Sequence, residues 1–346
     1  MLAKDYYNNL EKENILCPIT KSDRWLPLLK GDRHGMDIET MICLDSGFIA
    51  TNPRPKPFEL LKFYKENYRE YYFTFPNPSA PEYQKSTNRD VSLNRAGWLL
   101  SFCIEQLVAK ATSGPVRVLD IGCADGCFLA AAAVGLRAAN VPSILFGVEP
   151  DPQYADYAAE ASGATVLQGG FEDNLATLAH SSQQFDLIVL SHVLEHLCEP
   201  DEIVRKISTL LSEDGLLLIE VPNILSPCWS GFGMFHLAHI NHFIPETLCA
   251  LLEGNGFGVE KLFHGIHPVD PWAMTILARK GLMIQPAYCI NNVVQPARYG
   301  PSAIEFITSL IRSKTNYAQE KNKQRSFVSR LFLKLKVIAL NLKNAM

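Results

Sequence analysis

The chain has 346 residues, of which 47% are hydrophobic and 20% charged. This length and apolar content predict one large core with smaller attachments rather than two equal domains. The formal net charge of −4 argues against a protein that binds nucleic acid through bulk electrostatics, so we expect no nucleic-acid partner.

The cysteines and the N-terminal sequence indicate where the protein works. Nine cysteines are scattered through apolar segments instead of being spaced as a disulfide framework, which is typical of a reducing compartment. The first 14 residues are polar and charged, unlike a signal peptide. No segment approaches the ~20 apolar residues of a membrane span. We therefore expect a cytoplasmic protein.

The pattern along the chain predicts four parts. Residues 1–75 are rich in aromatic residues, proline and charge, and predict a small irregular domain. Residues 76–112 contain three prolines and then helical apolar spacing, which indicates a linker and a helix. Residues 113–281 form the main domain, and residues 282–346 a C-terminal extension.

The main domain alternates short apolar runs with helical segments, which predicts an α/β fold with a doubly wound, mostly parallel sheet of seven strands. Little sequence separates the last two strands, whereas a parallel pair needs a crossover of a dozen or more residues. We therefore predict that the last strand is antiparallel. The predicted strands are 116–121, 144–148, 164–167, 185–190, 215–221, 259–263 and 274–278.

A glycine-rich loop follows the first of these strands, in the run VLDIGCADG (118–126). Glycine lets the backbone turn sharply and approach a ligand closely, and the helix that follows offers unpaired N–H groups. Glu149 ends the second strand, where a carboxylate can accept both hydroxyls of a ribose. Gly126 comes too early for a dinucleotide fingerprint, so the spacing disfavours a nicotinamide cofactor.

These segments resemble the class I S-adenosylmethionine (SAM)-dependent methyltransferases. The motifs VLDIGCADG, GVEP, FDLIVLSHVLEHL and GLLLIEVPN occur in that family's order, over roughly residues 95–280. The resemblance implies SAM as cofactor, Glu149 on its ribose hydroxyls, and Phe171 packed against the adenine. Further cofactor contacts are expected from the loop and from the end of the fourth strand, namely Asp120, Gly122, Ala124, Gly126 and Ser191.

Polar residues with catalytic potential follow the fourth strand. His192, Glu195 and His196 have i, i+3, i+4 spacing, so the first turn of a helix would put them on one face at the carboxyl end of the sheet. His242 lies before a later helix. In the ubiquinone-pathway O-methyltransferases and the small-RNA 3′-end methyltransferases, the similar run Glu-x-x-Glu-His binds a divalent metal.

That resemblance leaves three interpretations open. His192, Glu195, His196 and His242 could bind a metal, for which Zn, Mn or Fe suits a His-rich site. They could instead be catalytic as a His base with its orienting partners, or the histidines could be structural.

The N-terminal part resembles the zinc-ribbon module that precedes sugar methyltransferases. Cys17-Pro-Ile-Thr20 and Cys43-Leu-Asp-Ser46 each match a CxxC knuckle whose second cysteine is replaced. A structural zinc normally takes four Cys or His ligands. We therefore expect a degenerate ribbon without zinc, and the resemblance suggests carbohydrate modification.

The end of the chain is basic. Nine Lys or Arg residues and one acid follow position 311, and residues 326–346 repeat apolar residues with helical spacing. A basic amphipathic helix can lie on an anionic membrane surface, or dock on its own domain or on a partner subunit. The sequence leaves open whether this segment gives peripheral association with the inner membrane.

Taken together, we expect a SAM-dependent methyltransferase that O-methylates a hydroxyl of a glycan, sugar or other small-molecule acceptor, in glycan or secondary-metabolite biosynthesis. A nucleotide-sugar C-methyltransferase is the alternative enzyme. A non-catalytic SAM-binding scaffold subunit is the alternative outside catalysis, and it would need no histidine cluster.

Overall fold

The structure is a computed structural model that describes residues 5–72, 77–111, 114–180, 184–228, 232–265, 269–281, 305 and 307–313. The predicted basic helix of residues 326–346 lies outside these residues. Within the described ranges, no helix combines the length and the apolar content needed to cross a membrane.

The N-terminal part, expected to be irregular, contains five short strands. They are β1 (Lys12–Glu13), β2 (Trp25–Lys30), β3 (Glu39–Cys43), β4 (Ile49–Thr51) and β5 (Arg54–Pro55). β1 pairs with β5, and β2, β3 and β4 form an antiparallel sheet. A single 3₁₀ turn, Tyr7–Asn9, precedes them.

Four helices connect this part to the main domain. They are α1 (Pro57–Glu66), α2 (Tyr68–Tyr72), α3 (Pro81–Gln84) and α4 (Thr87–Lys110). Ser86 caps α4 by accepting a hydrogen bond from the backbone N–H of Arg89, as N-cap serines do. The helix predicted within residues 76–112 is therefore α4, and it begins at Thr87. It buries Ala96, Leu99, Cys103 and Leu107, the three- and four-residue spacing of one helical face.

The main domain alternates strands and helices as predicted. Its elements are β6 (Val116–Ile121), α5 (Cys127–Ala138), β7 (Ser143–Glu149), α6 (Pro152–Ser162), β8 (Thr165–Gln168), α7 (Phe171–His180), β9 (Phe185–Ser191), α8 (Pro200–Leu210), β10 (Leu211–Pro222), β11 (Asn241–His242), α9 (Pro245–Glu253), β12 (Phe257–Phe263) and β13 (Ala273–Lys280).

Seven of these strands form one sheet in the order β12-β13-β10-β9-β6-β7-β8. β9 pairs in parallel with β6 and β10, whereas β13 is antiparallel to both β10 and β12. The predicted α/β fold with an antiparallel last strand is confirmed. The apolar runs of β6, β9 and β10 are almost wholly buried because helices cover both faces of the sheet.

The structure departs from the sequence prediction in two segments, before and after β9. No helix was predicted between β8 and β9, where α7 lies. After β9, the expected helical turn is only a 3₁₀ turn, Leu194–His196. His192 precedes it with φ +54°, in the left-handed region that a right-handed helix cannot contain, so His192 does not share a helical face with Glu195 and His196.

The N-terminal sheet takes one of its edge strands from the main domain. β11, which lies between β10 and α9 in sequence, pairs with β4 at the edge of the N-terminal sheet. Residues 307–313 also contact this sheet: Arg312 donates to the carbonyl oxygens of Pro27 and Leu28 at 2.7 and 3.1 Å. The N-terminal sheet is therefore completed by later parts of the chain.

Candidate active site

The glycine loop between β6 and α5 turns sharply beside the carboxyl end of β9. Gly122 has φ +72°, and a Cβ there would lie 2.6 Å from Cγ2 of Val193. Gly126 has φ +71°, and its Cβ would lie 2.9 Å from the backbone Cα of Ala158. Ala124 adopts φ +46°. The loop therefore uses a backbone conformation that side chains disfavour, and Val193 lies directly against it.

Two acids of this loop are buried. Asp120 is 4% exposed, and burial, reinforced by the charges of Glu149 and Asp125, raises its pKa well above the usual value. Asp125 accepts hydrogen bonds from Tyr83 at 2.6 Å and from Arg89 at 2.7 Å. Residues of α3 and α4 thus stabilise the loop, a contact that the sequence analysis did not predict.

Glu149 lies at the end of β7 and is 2% exposed. Its carboxylate accepts from the backbone N–H of Ala124 at 3.0 Å, from that of Asp151 at 3.1 Å, and from Nη2 of Arg69 at 2.9 Å. Burial raises the pKa of Glu149, against the effect of these partners. Glu149 therefore faces the glycine loop, as expected of a ribose-binding acid. Its carboxylate is also bound by Arg69.

Phe171 and Ser191 lie at the ends of neighbouring elements. Phe171 begins α7 and is 5% exposed, and the preceding turn is tied to β7 because the Gly169 N–H donates to the Glu149 carbonyl at 3.0 Å. Ser191 ends β9 and donates to Glu220 at 3.3 Å. The packing of Phe171 against the adenine stays a prediction.

His192 lies among three carboxylates. Its Nδ1 is 3.4 Å from Glu195, and its Nε2 is 3.3 Å from both Glu220 and Asp270. Burial, and then the charge of Arg95, oppose protonation of His192, but the carboxylates outweigh them and hold its pKa well above the usual value. Arg95 from α4 binds the same two acids, Glu220 at 2.9 Å and Asp270 at 2.8 Å.

Glu195, His196 and His239 form a second group next to His192. Oε1 of Glu195 is 3.8 Å from Nε2 of His196 and 3.9 Å from Nε2 of His239. One ligand atom from each of the three lies within 4.8 Å of the others. Both oxygens of Glu195 are buried, and neither accepts a hydrogen bond of good geometry from any residue that the structure describes.

The hydrogen bonds of His196 and His239 to backbone carbonyls determine the tautomer of each ring, and so which nitrogen presents a lone pair to Glu195. Nδ1 of His196 lies 2.8 Å from the Ala238 carbonyl, and Nδ1 of His239 lies 3.2 Å from the Met234 carbonyl. A carbonyl oxygen can only accept, so each Nδ1 carries the proton and each Nε2 of the neutral ring has none. Two lone pairs and a carboxylate therefore converge, which favours a cation or a proton donor between them.

Both histidines are held neutral. Burial lowers the pKa of His196, with the charge of Glu195 opposing it. Burial, followed by the neighbouring histidines His236 and His196, lowers the pKa of His239 well below its usual value. Neutral imidazoles are the form that binds metals and accepts protons.

Three of the four predicted residues, His192, Glu195 and His196, lie together, but His239 rather than His242 joins them at Glu195. β11 pairs with β4, which holds His242 opposite Ile49, and its ring lies 4.7 Å from that of Phe235. Burial lowers the pKa of His242 to about 3. His192 contacts Glu195 through Nδ1 at 3.4 Å, and its Nε2 also faces Glu220 and Asp270 at 3.3 Å.

Several residues of this region were missed by the sequence analysis. Tyr64 from α1 contacts Nδ1 of His196 at 3.0 Å, and Arg69 from α2 contacts Glu149. Glu220 offered a signal, as an acid in the otherwise apolar run of β10. His239 lies three residues before His242 in the same run, whereas Arg95 and Asp270 offered no signal because they come together only through the fold.

Comparison with known proteins agrees with this geometry. A family model described as a methyltransferase domain matches residues 69–262, which is more than half of the chain. The chain belongs to this family of methyltransferase domains.

Two relatives and a solved structure illustrate the match. A ubiquinone biosynthesis O-methyltransferase of Actinobacillus pleuropneumoniae is 34% identical over 111 residues, 31% of this chain and 46% of that protein. A tRNA U34 carboxymethyltransferase of Desulfotalea psychrophila is 28% identical over 167 residues, 44% and 48% of the two chains. The chain thus spans about half the length of these relatives. A SAM-dependent methyltransferase structure from Archaeoglobus fulgidus aligns with TM-score 0.39 at 20% identity, covering 54% of this chain and 94% of that one.

Proposed function

We propose that this methyltransferase O-methylates a hydroxyl group of a sugar or other small molecule. The observation that carries the proposal is the convergence of the Nε2 atoms of His196 and His239 on the buried carboxylate of Glu195, beside the loop expected to bind the cofactor. A neutral hydroxyl must lose its proton to become a good nucleophile. This group offers three acceptors for that proton in a site shielded from water.

The reaction is a direct displacement. The acceptor oxygen forms a bond to the methyl carbon as the bond from that carbon to the sulfonium sulfur breaks, which leaves S-adenosylhomocysteine. Much of the rate gain comes from aligning the two reactants. The hydroxyl proton goes to Nε2 of His239 or His196, and Glu195 stabilises the imidazolium that forms. Tyr64 and the carbonyls of Ala238 and Met234 keep the rings oriented.

On the cofactor side, we assign the ribose hydroxyls to Glu149 and the methionine and ribose to the loop. The closeness of Glu149 to the N–H of Ala124 supports this assignment, because both elements then face one ligand. The residues assigned to the cofactor are Asp120, Gly122, Ala124, Gly126, Glu149, Phe171 and Ser191.

The same group also fits a divalent metal ion. Glu195, His196 and His239 would hold it, and two imidazoles with one carboxylate suit Zn, Mn or Fe better than Mg. A bound metal would lower the pKa of the acceptor hydroxyl. The buried oxygens of Glu195, which accept no hydrogen bond of good geometry from the described residues, and the neutral imidazoles support this version.

A metal titration separates the two versions. If a metal is used, calorimetry with Zn²⁺ or Mn²⁺ should show one site per chain, which is lost in His239→Ala and kept in His242→Ala. If the group acts only as a base, neither wild type nor His242→Ala binds metal, and chelators leave turnover unchanged. Loss of metal binding in His242→Ala alone would contradict the grouping around Glu195.

The preference for a sugar acceptor rests on the N-terminal part, which we propose to be a relic of a zinc ribbon. Cys17 Sγ lies 3.1 Å from Ser46 Oγ, and Thr20 Oγ1 lies 3.8 Å from Cys43 Sγ, so the four knuckle positions meet. Hydroxyls at two of them are poor zinc ligands. We expect elemental analysis of the purified protein to find no zinc bound at these positions. One zinc per chain that is lost in Cys17→Ser would contradict the proposal of a relic ribbon.

A further inference from the structure

Arg69 occupies the carboxylate to which the proposed function assigns the cofactor ribose. Its Nη2 donates to Oε1 of Glu149 at 2.9 Å, and the two side chains are only 15% and 3% exposed. Hydrogen bonds between charged groups are stronger than neutral ones, and a buried carboxylate without a partner is costly. Arg69 therefore stabilises Glu149 in the absence of ligand, and a ribose must compete with it.

A second carboxylate is placed to receive the displaced guanidinium. Nε of Arg69 lies 3.6 Å from Oδ2 of Asp151. The other oxygen of Asp151 caps α6 by accepting from the N–H groups of Gln153 and Tyr154, so Oδ2 lies on the side toward Arg69. The distance of 3.6 Å is too long for a hydrogen bond, and a small shift would close it.

The aromatic ring of Tyr154 keeps Arg69 in place for either partner. The guanidinium carbon lies 3.7 Å from the centroid of this ring, a cation–π contact that does not depend on which acid binds the N–H groups. Tyr154 is 2% exposed and lies in the first turn of α6, so the platform is rigid. The guanidinium can thus exchange Glu149 for Asp151 without returning to water.

We propose that Arg69 competes with the cofactor ribose for Glu149. When the cofactor binds, the guanidinium of Arg69 moves from Glu149 to Asp151. The inference rests on the proposed role of Glu149. Arg69 belongs to α2, whose Tyr68 ring lies 6.0 Å from that of His196. Movement of Arg69 would therefore reach the segment that borders the candidate catalytic group.

The proposal predicts opposite effects of one substitution on stability and on affinity. In Arg69→Gln, Glu149 loses its charged partner, and the melting temperature falls by a few degrees. The ribose no longer competes, so S-adenosylhomocysteine binds on the order of tenfold more tightly, because a binding site that is only partly available shows a reduced apparent affinity. Calorimetry at pH 8 measures the affinity, and scanning calorimetry the melting temperature.

Matched variants keep the test decisive. Arg69→Met preserves packing on Tyr154 and should also bind more tightly. Asp151→Asn keeps an α6 cap but removes the second partner, so it should weaken binding in the wild-type background and have no effect in Arg69→Gln. Arg205→Gln removes an arginine paired with Glu202 at the surface and should change neither quantity.

Other results would overturn the inference. Weaker binding in both Arg69 variants would mean that Arg69 contacts the cofactor, and affinities within twofold of wild type would mean that it does not compete. Glu149→Ala tests the proposed function separately. If that variant binds S-adenosylhomocysteine as wild type does, the ribose assignment fails. If it binds weakly while the Arg69 variants do not tighten, only the competitor fails.

Discussion

The proposed cofactor end of the site, which is the glycine loop with Glu149, and the proposed acceptor end, which is the group of Glu195, His196 and His239, lie at the same edge of one sheet but are assembled differently. The cofactor end comes from two consecutive strand-to-helix turns, 120–126 and 149–151, whose residues are local in sequence. The acceptor end brings together α1, the segment after β9, and the segment before β11, with Arg95 and Asp270 at its border. Residues close together in sequence thus form most of the proposed cofactor end, whereas long-range packing assembles the proposed catalytic group.

This contrast has a physical origin. A cofactor loop depends on backbone conformation and helix N–H groups, which a short sequence can specify by itself. A proton-accepting group needs side chains fixed by second contacts. Here these contacts, to Tyr64 and to backbone carbonyls, come from segments more than 40 residues apart from His196.

The largest effect should come from the acceptor end. Glu195→Gln removes the charge that stabilises a protonated imidazole or a metal, so we expect methyl transfer to an accepted hydroxyl substrate to fall about 10²–10⁴-fold. Affinity for S-adenosylhomocysteine should stay unchanged. Steady-state kinetics and calorimetry measure the two quantities, with the exposed Glu160→Gln as control. A variant with normal kcat would remove Glu195 from catalysis.

The glycine loop can be tested through stability. Gly126 and Gly163 both have φ +71°, but a Cβ on Gly163 meets nothing within 4 Å. Gly163→Ala should therefore cost only the left-handed strain, about 1–2 kcal/mol. Gly126→Ala should cost about 1–3 kcal/mol more, because Ala158 must shift. Urea unfolding compares the variants, and equal losses would show that the close approach to α6 is unimportant.

A smaller effect is expected at the ribose carboxylate. Glu149→Ala should weaken binding of S-adenosylhomocysteine by about 1.5–3 kcal/mol, since hydrogen bonds to a charged group are lost. NAD should bind neither protein. Titration calorimetry gives both results. An unchanged affinity for S-adenosylhomocysteine would mean that the cofactor end does not include β7.

The smallest effect should follow removal of residues 326–346. The seven strands end at Lys280, so we expect the truncated protein to bind S-adenosylhomocysteine like the full chain. If the basic segment binds membranes, only the full chain should float with anionic liposomes, and added salt should release it. A loss of cofactor affinity on truncation would show that this segment supports the site.

The sequence predicted the sheet well because its strands are long apolar runs bounded by glycine, proline or acids, as in 116–121 and 185–191. It also placed Glu149 at the end of a strand, where the structure shows it facing the glycine loop. The helical face predicted at His192 was wrong, since nothing local shows that this residue takes φ +54°, and the sequence pointed to His242 where the structure has His239 beside Glu195. That choice is made by the pairing of β11 with β4, a contact between residues almost 200 positions apart.

The same pairing limits how the molecule can be divided. Because β11 interrupts the main domain to complete the N-terminal sheet, a fragment starting at residue 113 would carry an orphaned edge strand, and the sheet left behind would lose one. Thr51 and Glu195 also hold the two backbone ends of Ile240, at 2.9 and 3.1 Å. We therefore expect that swapping the N-terminal part for that of a relative would reposition His239 beside Glu195.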